Sequence, residues 1–97
     1  ERVILAQKVQ IERYKNDGIY FNSQLTAGLI EKYCELGEAE RQILKGVFDR
    51  LNLSARAYHK ILKIARTIAD LEQSTNIGVT HIAEAVQLRN LDRKFMF

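Results

Sequence analysis

The stretch of sequence that decides the fold is LSARAYHKILKIARTIADLE, which occupies residues 53–72. Its apolar side chains recur at the three- and four-residue spacing that places them on one face of an α-helix. They are Tyr58, Ile61, Leu62, Ala65, Ile68 and Ala69. Ser54 offers a hydroxyl to the amides of the first turn, and Leu53 and Tyr58 stand at hydrophobic-staple positions. The pattern predicts an amphipathic helix over residues 54–73 with one face in a core.

Four more helices are predicted on either side of this one. Each is bounded by a residue that stops or caps a helix, and they cover residues 2–15, 25–36, 38–52 and 80–90. The first helix is stopped by the turn that leads to Gly18, which can adopt the left-handed conformation. Gly37 closes the second helix, and Thr80 caps the last. The polar and aromatic link over residues 19–24 is expected to carry a short extended stretch.

Two of these predicted helices show a clear apolar stripe. In the helix over residues 25–36 the stripe is Leu29, Ile30 and Tyr33. In the helix over residues 38–52 it is Ile43, Leu44, Val47, Phe48 and Leu51. This spacing is typical of helices that bury one side against a neighbour.

The composition favours a single all-α domain. The chain has 97 residues, 46% of them apolar, five glycines and no proline. Turn-rich β-sandwiches and barrels need more of these turn residues, whereas helices joined by short loops need few. We therefore predict a small bundle of four to five helices over residues 1–97. Because the chain begins at Glu1 rather than at a methionine, we expect it to be a fragment of a longer protein.

The cysteine content and the hydropathy pattern bear on location. Cys34 is the only cysteine, so no internal disulfide can form and a reducing compartment, the cytoplasm, is expected. The apolar runs are only a few residues long, so no membrane partner is expected. Cys34 itself is interpreted as a small buried residue, because the sequence suggests no base that would make it a nucleophile.

The helix over residues 54–73 carries its charges in the reverse of the usual order. Bases occupy its first half and acids lie near its end: Arg56, His59, Lys60 and Lys63, then Asp70 and Glu72. A cation at the second helical position opposes the helix dipole by up to about 1 kcal/mol unless an anion compensates it. Free amides, the dipole and a guanidinium would then converge on one phosphate or carboxylate. The alternative is an ordinary solvated basic face.

The same stretch closely resembles the C-terminal segment of the magnesium-chelatase-like AAA+ ATPases of the YifB or ComM type. Other parts of the chain fit the same family pattern: Gln10, Arg13-Tyr14, Asn22, Leu25, Cys34, residues 81–89 and residues 91–94. The similarity covers nearly the whole chain, and residues 53–72 are its most specific part.

The resemblance implies a helical lid that follows a nucleotide-binding core. Arg56 matches the family's sensor-2 arginine, which contacts the terminal phosphates of bound ATP. His59, Lys60 and Lys63 would extend an anion-binding face. The chain lacks the G-x-x-x-x-G-K-[ST] run and the paired acids that hold phosphates and Mg²⁺, so the fragment alone is not expected to be an enzyme.

The remaining implications concern the intact protein. ATP and Mg²⁺ would be its cofactors, and the AAA+ core of the same or a neighbouring subunit would be the partner of this domain. A homo-oligomeric ring is expected, with DNA as a further partner of the whole machine.

Besides the lid, the residues alone allow two other functions. In a nucleic-acid-binding module, phosphate contacts would come from Arg56, Lys60, Lys63 and Arg66, although a net charge of +3 is low for a dedicated binder. Bases could also stack on Tyr14, Tyr20 and Phe21, although aromatic residues beside a helix end more often fill a core. A structural bundle that mediates oligomer contacts is the third possibility.

The last candidates are the histidines and the C-terminal end. His59 and His81 have no ligand at metal spacing, so no metal site is predicted and both are interpreted as surface residues. The closing residues could fray or pack on a neighbouring subunit: Arg89, Arg93, Lys94, Phe95, Met96 and Phe97.

Overall fold

The computed structural model describes the backbone of residues 2–95 and the side chains of residues 2–88. Within this range the chain forms five α-helices and a single 3₁₀ turn over Asn22–Gln24. The helices are α1 Arg2–Arg13, α2 Ala27–Tyr33, α3 Glu38–Leu51, α4 Ala55–Leu71 and α5 Val79–Phe95. The all-α prediction is confirmed. The extended stretch expected within residues 19–24 is wrong, because the described residues contain no strand and Asn22–Gln24 turns instead.

Helix α4 is the centre of the fold, as its amphipathic pattern indicates. It packs against α1, α2, α5 and the 3₁₀ turn, while α3 reaches the bundle by packing on α5. The cap prediction is confirmed, because the Ser54 hydroxyl accepts a hydrogen bond from the Ala57 amide at 3.2 Å. Leu53 is buried beside this cap and Tyr58 is half-buried. Removing this apolar face from water is the main force that holds the other helices to α4.

The core contains most of the predicted stripes. Ile30 of α2 and Leu44 and Val47 of α3 are buried, and their apolar neighbours in the stripes pack around them. Ile43 is an exception, because its side chain is 39% exposed. It is also absent from the residues that pack against the core. Cys34 is buried in the same core, so its interpretation as a small core residue is confirmed.

The first two helices are shorter than the pattern predicts. Helix α1 ends at Arg13, and a turn leads to Gly18, which has the expected left-handed φ of +74°. Helix α2 begins only after Thr26, whose hydroxyl accepts from the Leu29 amide at 3.4 Å. Gly37 does not close α2, because that helix ends at Tyr33 and Gly37 is instead the N-terminal cap of α3.

The start of α5 also differs from the prediction. Thr80 lies inside the helix, because the carbonyl of Gly78 already accepts from the amides of His81 and Ile82 at 3.1 and 3.2 Å. Gly78 therefore starts the helix that Thr80 was expected to cap. The helix continues to Phe95 rather than ending at residue 90. No helix of the described chain is long and apolar enough to cross a membrane.

Candidate functional site

The four basic residues at the start of α4 lie together on one cleft of about 920 Å³. Arg56 is the second residue of the helix and is exposed, and His59, Lys60 and Lys63 follow on the same side. The rest of the cleft lining is mainly apolar: Ser23, Leu25, Ala27, Ile30, Ile64, Thr67, Ile68, Leu71 and Leu88. No aspartate or glutamate is among these described lining residues, so the described lining is basic and apolar.

Backbone donors add to this positive charge at the N-terminus of α4. The Ser54 hydroxyl satisfies the Ala57 amide. The amides of Ala55 and Arg56 lie in the first turn, where no helical acceptor is available. Among the described residues neither amide has a hydrogen-bond partner. Two amides and the positive end of the helix dipole thus stand beside the Arg56 side chain, an arrangement that favours an anion.

The basic side chains differ in how firmly they are held. Lys63 Nζ donates to the Ser23 carbonyl at 3.4 Å, and the half-buried His59 ring lies edge-on to Tyr58 with centroids 6.1 Å apart. Arg56 makes no hydrogen bond or ion pair to any residue whose side chain the structure describes. Among the described residues, therefore, no side chain competes with an external anion for its guanidinium.

The acids near the end of α4 have a structural explanation that the sequence did not reveal. Asp70 is 2% exposed and accepts two hydrogen bonds from Arg13, at 2.7 and 3.1 Å. Its carboxylate also lies 3.1 Å from the guanidinium of Arg66 and accepts a hydrogen bond from the side-chain Nδ2 of Asn22 at 3.0 Å. Internal partners thus account for the position of Asp70 within the reversed charge order of α4.

Two of the family-pattern residues in α1 and its exit turn also belong to this buried network. The Gln10 side-chain oxygen accepts a hydrogen bond from the backbone amide of Asn22 at 3.0 Å, and the Tyr14 hydroxyl donates to the side-chain oxygen of Asn22. Burial raises the pKa of Tyr14, although its contact with Arg13 opposes the shift. Tyr14 is fully buried and cannot stack on a base, so that hypothesis is wrong for Tyr14. Tyr20 and Phe21 are exposed.

Arg66 does not fit the nucleic-acid hypothesis. It is 4% exposed, and its guanidinium donates to the carbonyls of Ser74 and Thr75 at 2.8 and 3.0 Å while pairing with Asp70. Its predicted contact with backbone phosphates is wrong, because the residue faces the interior of the bundle. Helical spacing alone placed Arg66 near Lys63 and gave no sign of the Asp70 pairing at i+4.

His81 is not the surface histidine that the sequence indicated. It is 5% exposed, its Nδ1 accepts from the Gly78 amide at 2.8 Å, and its Nε2 lies 3.0 Å from Glu72. The ring thus ties the start of α5 to the end of α4. The part of the chain that the structure describes contains no group of three residues able to hold a metal ion.

Cys34 has the surroundings of a core residue. Desolvation by burial raises the pKa of its thiol to about 11, against an ordinary value of 9.0, so the thiolate is scarce at neutral pH. The predictions for the closing residues concern side chains outside the described part of the chain: Arg89, Arg93, Lys94, Phe95, Met96 and Phe97.

Comparison with known proteins places the chain in one family. A family model described as the C-terminal domain of magnesium chelatase, subunit ChlI, matches residues 1–89. The chain is 39% identical over 93 residues to competence protein ComM of Haemophilus influenzae, and 40% and 38% identical to the uncharacterized YifB proteins of Salmonella typhimurium and Escherichia coli. Each match covers 96% of this chain but only 18% of the relative, so the chain spans less than a fifth of their length. The chain belongs to the family of magnesium chelatase ChlI C-terminal domains.

Proposed function

We propose that residues 1–97 form the helical lid of a larger AAA+ ATPase and that Arg56 contacts the terminal phosphates of ATP. The observation that carries this proposal is the placement of Arg56 at the N-terminus of α4, exposed, in a basic cleft without a described acidic residue. Family membership supports it, because the similar proteins are about five times as long as this match and leave room for a nucleotide-binding core.

The donor set at this end of α4 suits a phosphate better than a metal. Arg56 can donate two parallel hydrogen bonds to phosphate oxygens, and the Ala55 and Arg56 amides lie in the same first turn of α4. His59, Lys60 and Lys63 would raise the local positive potential. The described lining of the cleft contains no carboxylate for Mg²⁺. The core would therefore supply the metal ligands and the phosphate loop, and the fragment alone would not hydrolyse ATP.

The proposed contact would report the state of the nucleotide. A charge-assisted hydrogen bond to the γ-phosphate contributes roughly 1.5–3 kcal/mol, and it is lost when that phosphate leaves. The lid angle would then differ between the ATP and ADP states, and the difference would pass to the core of the same or a neighbouring subunit in a ring.

Measuring ATP hydrolysis by the intact parent protein tests this function. We expect Arg56→Ala to lower turnover tenfold or more without lowering the melting temperature. Arg56→Lys should lose less turnover, because lysine keeps the charge but cannot donate the paired hydrogen bonds of a guanidinium. Arg50→Ala is the matched control, since Arg50 is an exposed arginine in the last turn of α3. Turnover unchanged in Arg56→Ala would exclude a nucleotide role for this residue.

Binding of DNA by this domain is the second proposal to be tested. The exposed Arg56 lies on the same cleft as Lys60 and Lys63, so this face can still present phosphate-binding groups, although the burial of Arg66 removes one of the four predicted cations. Steeply salt-dependent, submicromolar DNA binding by residues 1–97 would favour this function over the lid. We expect weak binding, because few cations remain on this face. In the intact protein we propose a cytoplasmic location and DNA as the remodelled substrate.

A further inference from the structure

Helix α1 exposes more apolar surface than any other helix of the described chain. Among the side chains that the structure describes, ten large apolar or aromatic ones are exposed, and half of them lie on the twelve residues of α1, each 41–50% exposed: Val3, Ile4, Leu5, Val9 and Ile11. Only Ala6 and Gln10 of α1 are buried. Single exposed apolar residues are normal on a protein surface, but a concentration on one helix marks a contact surface.

These residues form two strips rather than one face. At 100° per residue, Ala6 and Gln10 point toward α4, and Lys8 and Glu12 lie on the opposite side as a polar ridge. Leu5 and Val9 form one strip between these two sides. The second strip, on the other flank, is Val3, Ile4 and Ile11, with Gln7 among them. A helix that is apolar on both flanks and polar on one narrow ridge is typical of a helix embedded in protein on three sides.

Within this domain α1 is held by polar contacts. Arg13 pairs with Asp70, Gln10 accepts from the Asn22 amide, and Arg2 Nε donates to the Leu71 carbonyl at 3.1 Å. No described residue of α1 belongs to the main hydrophobic cluster, which draws its side chains from the later helices and the connecting segments. Apart from the buried Ala6, the apolar side chains of α1 therefore do not serve the core of this bundle.

We propose that the two apolar strips of α1 are the surface on which the preceding domain of the longer polypeptide packs. The matched relatives extend well beyond the aligned 93 residues, the matching family is a C-terminal domain, and α1 is the first helix of this chain. A preceding domain of the same chain would arrive beside α1 at a high effective concentration. The inference rests on the part of the proposed function that makes the chain one domain of a larger protein, and it does not depend on Arg56.

The docked helix would also connect the preceding domain to the basic cleft. Arg13, in the last turn of α1, is joined by two hydrogen bonds to Asp70 of α4, and Arg56 lies at the other end of α4. A tilt of α1 on the preceding domain would therefore carry α4 and Arg56 with it.

Thiol labelling of the intact parent protein, without nucleotide, tests the docking surface. Cysteine is introduced by Val9→Cys or Ile4→Cys, one on each strip, and by Ile43→Cys as the control on α3. In the domain alone these three positions are similarly exposed, at 44, 50 and 39%. The rate of N-ethylmaleimide addition to each cysteine-containing peptide is measured by mass spectrometry. It is then divided by the rate for the same peptide in urea. We expect the two α1 positions to react at least tenfold more slowly than Ile43→Cys.

The labelling rates distinguish a preceding domain on α1 from a second copy of the protein and from an uncovered helix. Rates for Val9→Cys and Ile4→Cys within threefold of the control would overturn the proposal, because α1 would then be exposed in the whole protein. Protection that disappears on dilution would also overturn it, since the cover would be a second copy. Leu5→Cys and Ile11→Cys provide a second pair if a first variant melts at a lower temperature than the parent. Because no nucleotide is present, failure here is distinct from failure of the Arg56 role.

Discussion

The substitution Asp70→Asn removes the one negative charge that two guanidiniums share, with little change of side-chain shape. The Asp70 side chain is 1% exposed, and those of its partners Arg66 and Arg13 are 5% and 17% exposed. Asparagine would leave both cations buried or half-buried without a counter-charge. Removing one partner of a buried ion pair costs about 3–5 kcal/mol. A domain of this size has a total stability of about 5–15 kcal/mol, so this loss is a large fraction of the whole.

The composition of the network allows a sharper test. Arg13→Met leaves the Arg66–Asp70 pair intact and balanced in charge, so it should cost only about 1.5–3 kcal/mol for the lost charge-assisted bonds. Asp49→Asn, on the exposed surface of α3, should change stability by less than about 0.5 kcal/mol. Urea unfolding of residues 1–97 followed by circular dichroism gives all three values. A cost below 1 kcal/mol for Asp70→Asn, or one smaller than that of Arg13→Met, would refute the reasoning.

Three further predictions concern the stability of the helices and the burial of Cys34. Ser54→Ala should lower the unfolding free energy by about 1 kcal/mol, because the Ala57 amide loses its cap, and urea unfolding measures this. Gly18→Ala should destabilise by about 1–2 kcal/mol because φ is +74°, whereas Gly46→Ala in the middle of α3, where a Cβ meets nothing within 4 Å, should stabilise by up to about 1 kcal/mol. Cys34, with its pKa near 11, should react with a thiol reagent at pH 8 at least tenfold more slowly than in urea; equal rates would contradict its burial.

The pH dependence of stability follows from the same thiol. Its ordinary pKa of 9.0 lies below the folded value of about 11, so the unfolded chain loses this proton first. Stability should therefore fall as the pH rises from about 9 to about 11, and the fall should be smaller in Cys34→Ala.

Periodicity and caps predicted the architecture because they act locally. The apolar face of α4 and the Ser54 cap depend only on residues within one helix, and both are confirmed. Boundaries were less predictable where two capping residues compete. Gly78 starts α5 ahead of Thr80, and Thr26 delays the start of α2.

The buried polar network could not be predicted, because its members are distant in sequence. Arg13 and Asp70 are 57 residues apart, and Asn22 and Asp70 are 48 apart. The i,i+4 spacing of Arg66 and Asp70 did not distinguish their buried pairing from an ordinary exposed pair on a helix surface. The basic cleft was easier to foresee, since Arg56, His59, Lys60 and Lys63 share a helical face, while its apolar side depends on how α2 and α5 pack.

If Arg56 detects the terminal phosphate of ATP as proposed, its loss must change the ratio of ATP to ADP affinity, and measuring that ratio is the most direct test. The measurement uses intact parent protein with fluorescent nucleotides, under conditions that prevent hydrolysis, for wild type, Arg56→Ala and the Arg50→Ala control. A lost contact of roughly 1.5–3 kcal/mol should weaken ATP binding roughly 10- to 150-fold in Arg56→Ala while leaving ADP binding nearly unchanged. An equal loss for both nucleotides, or no loss, would contradict the claim.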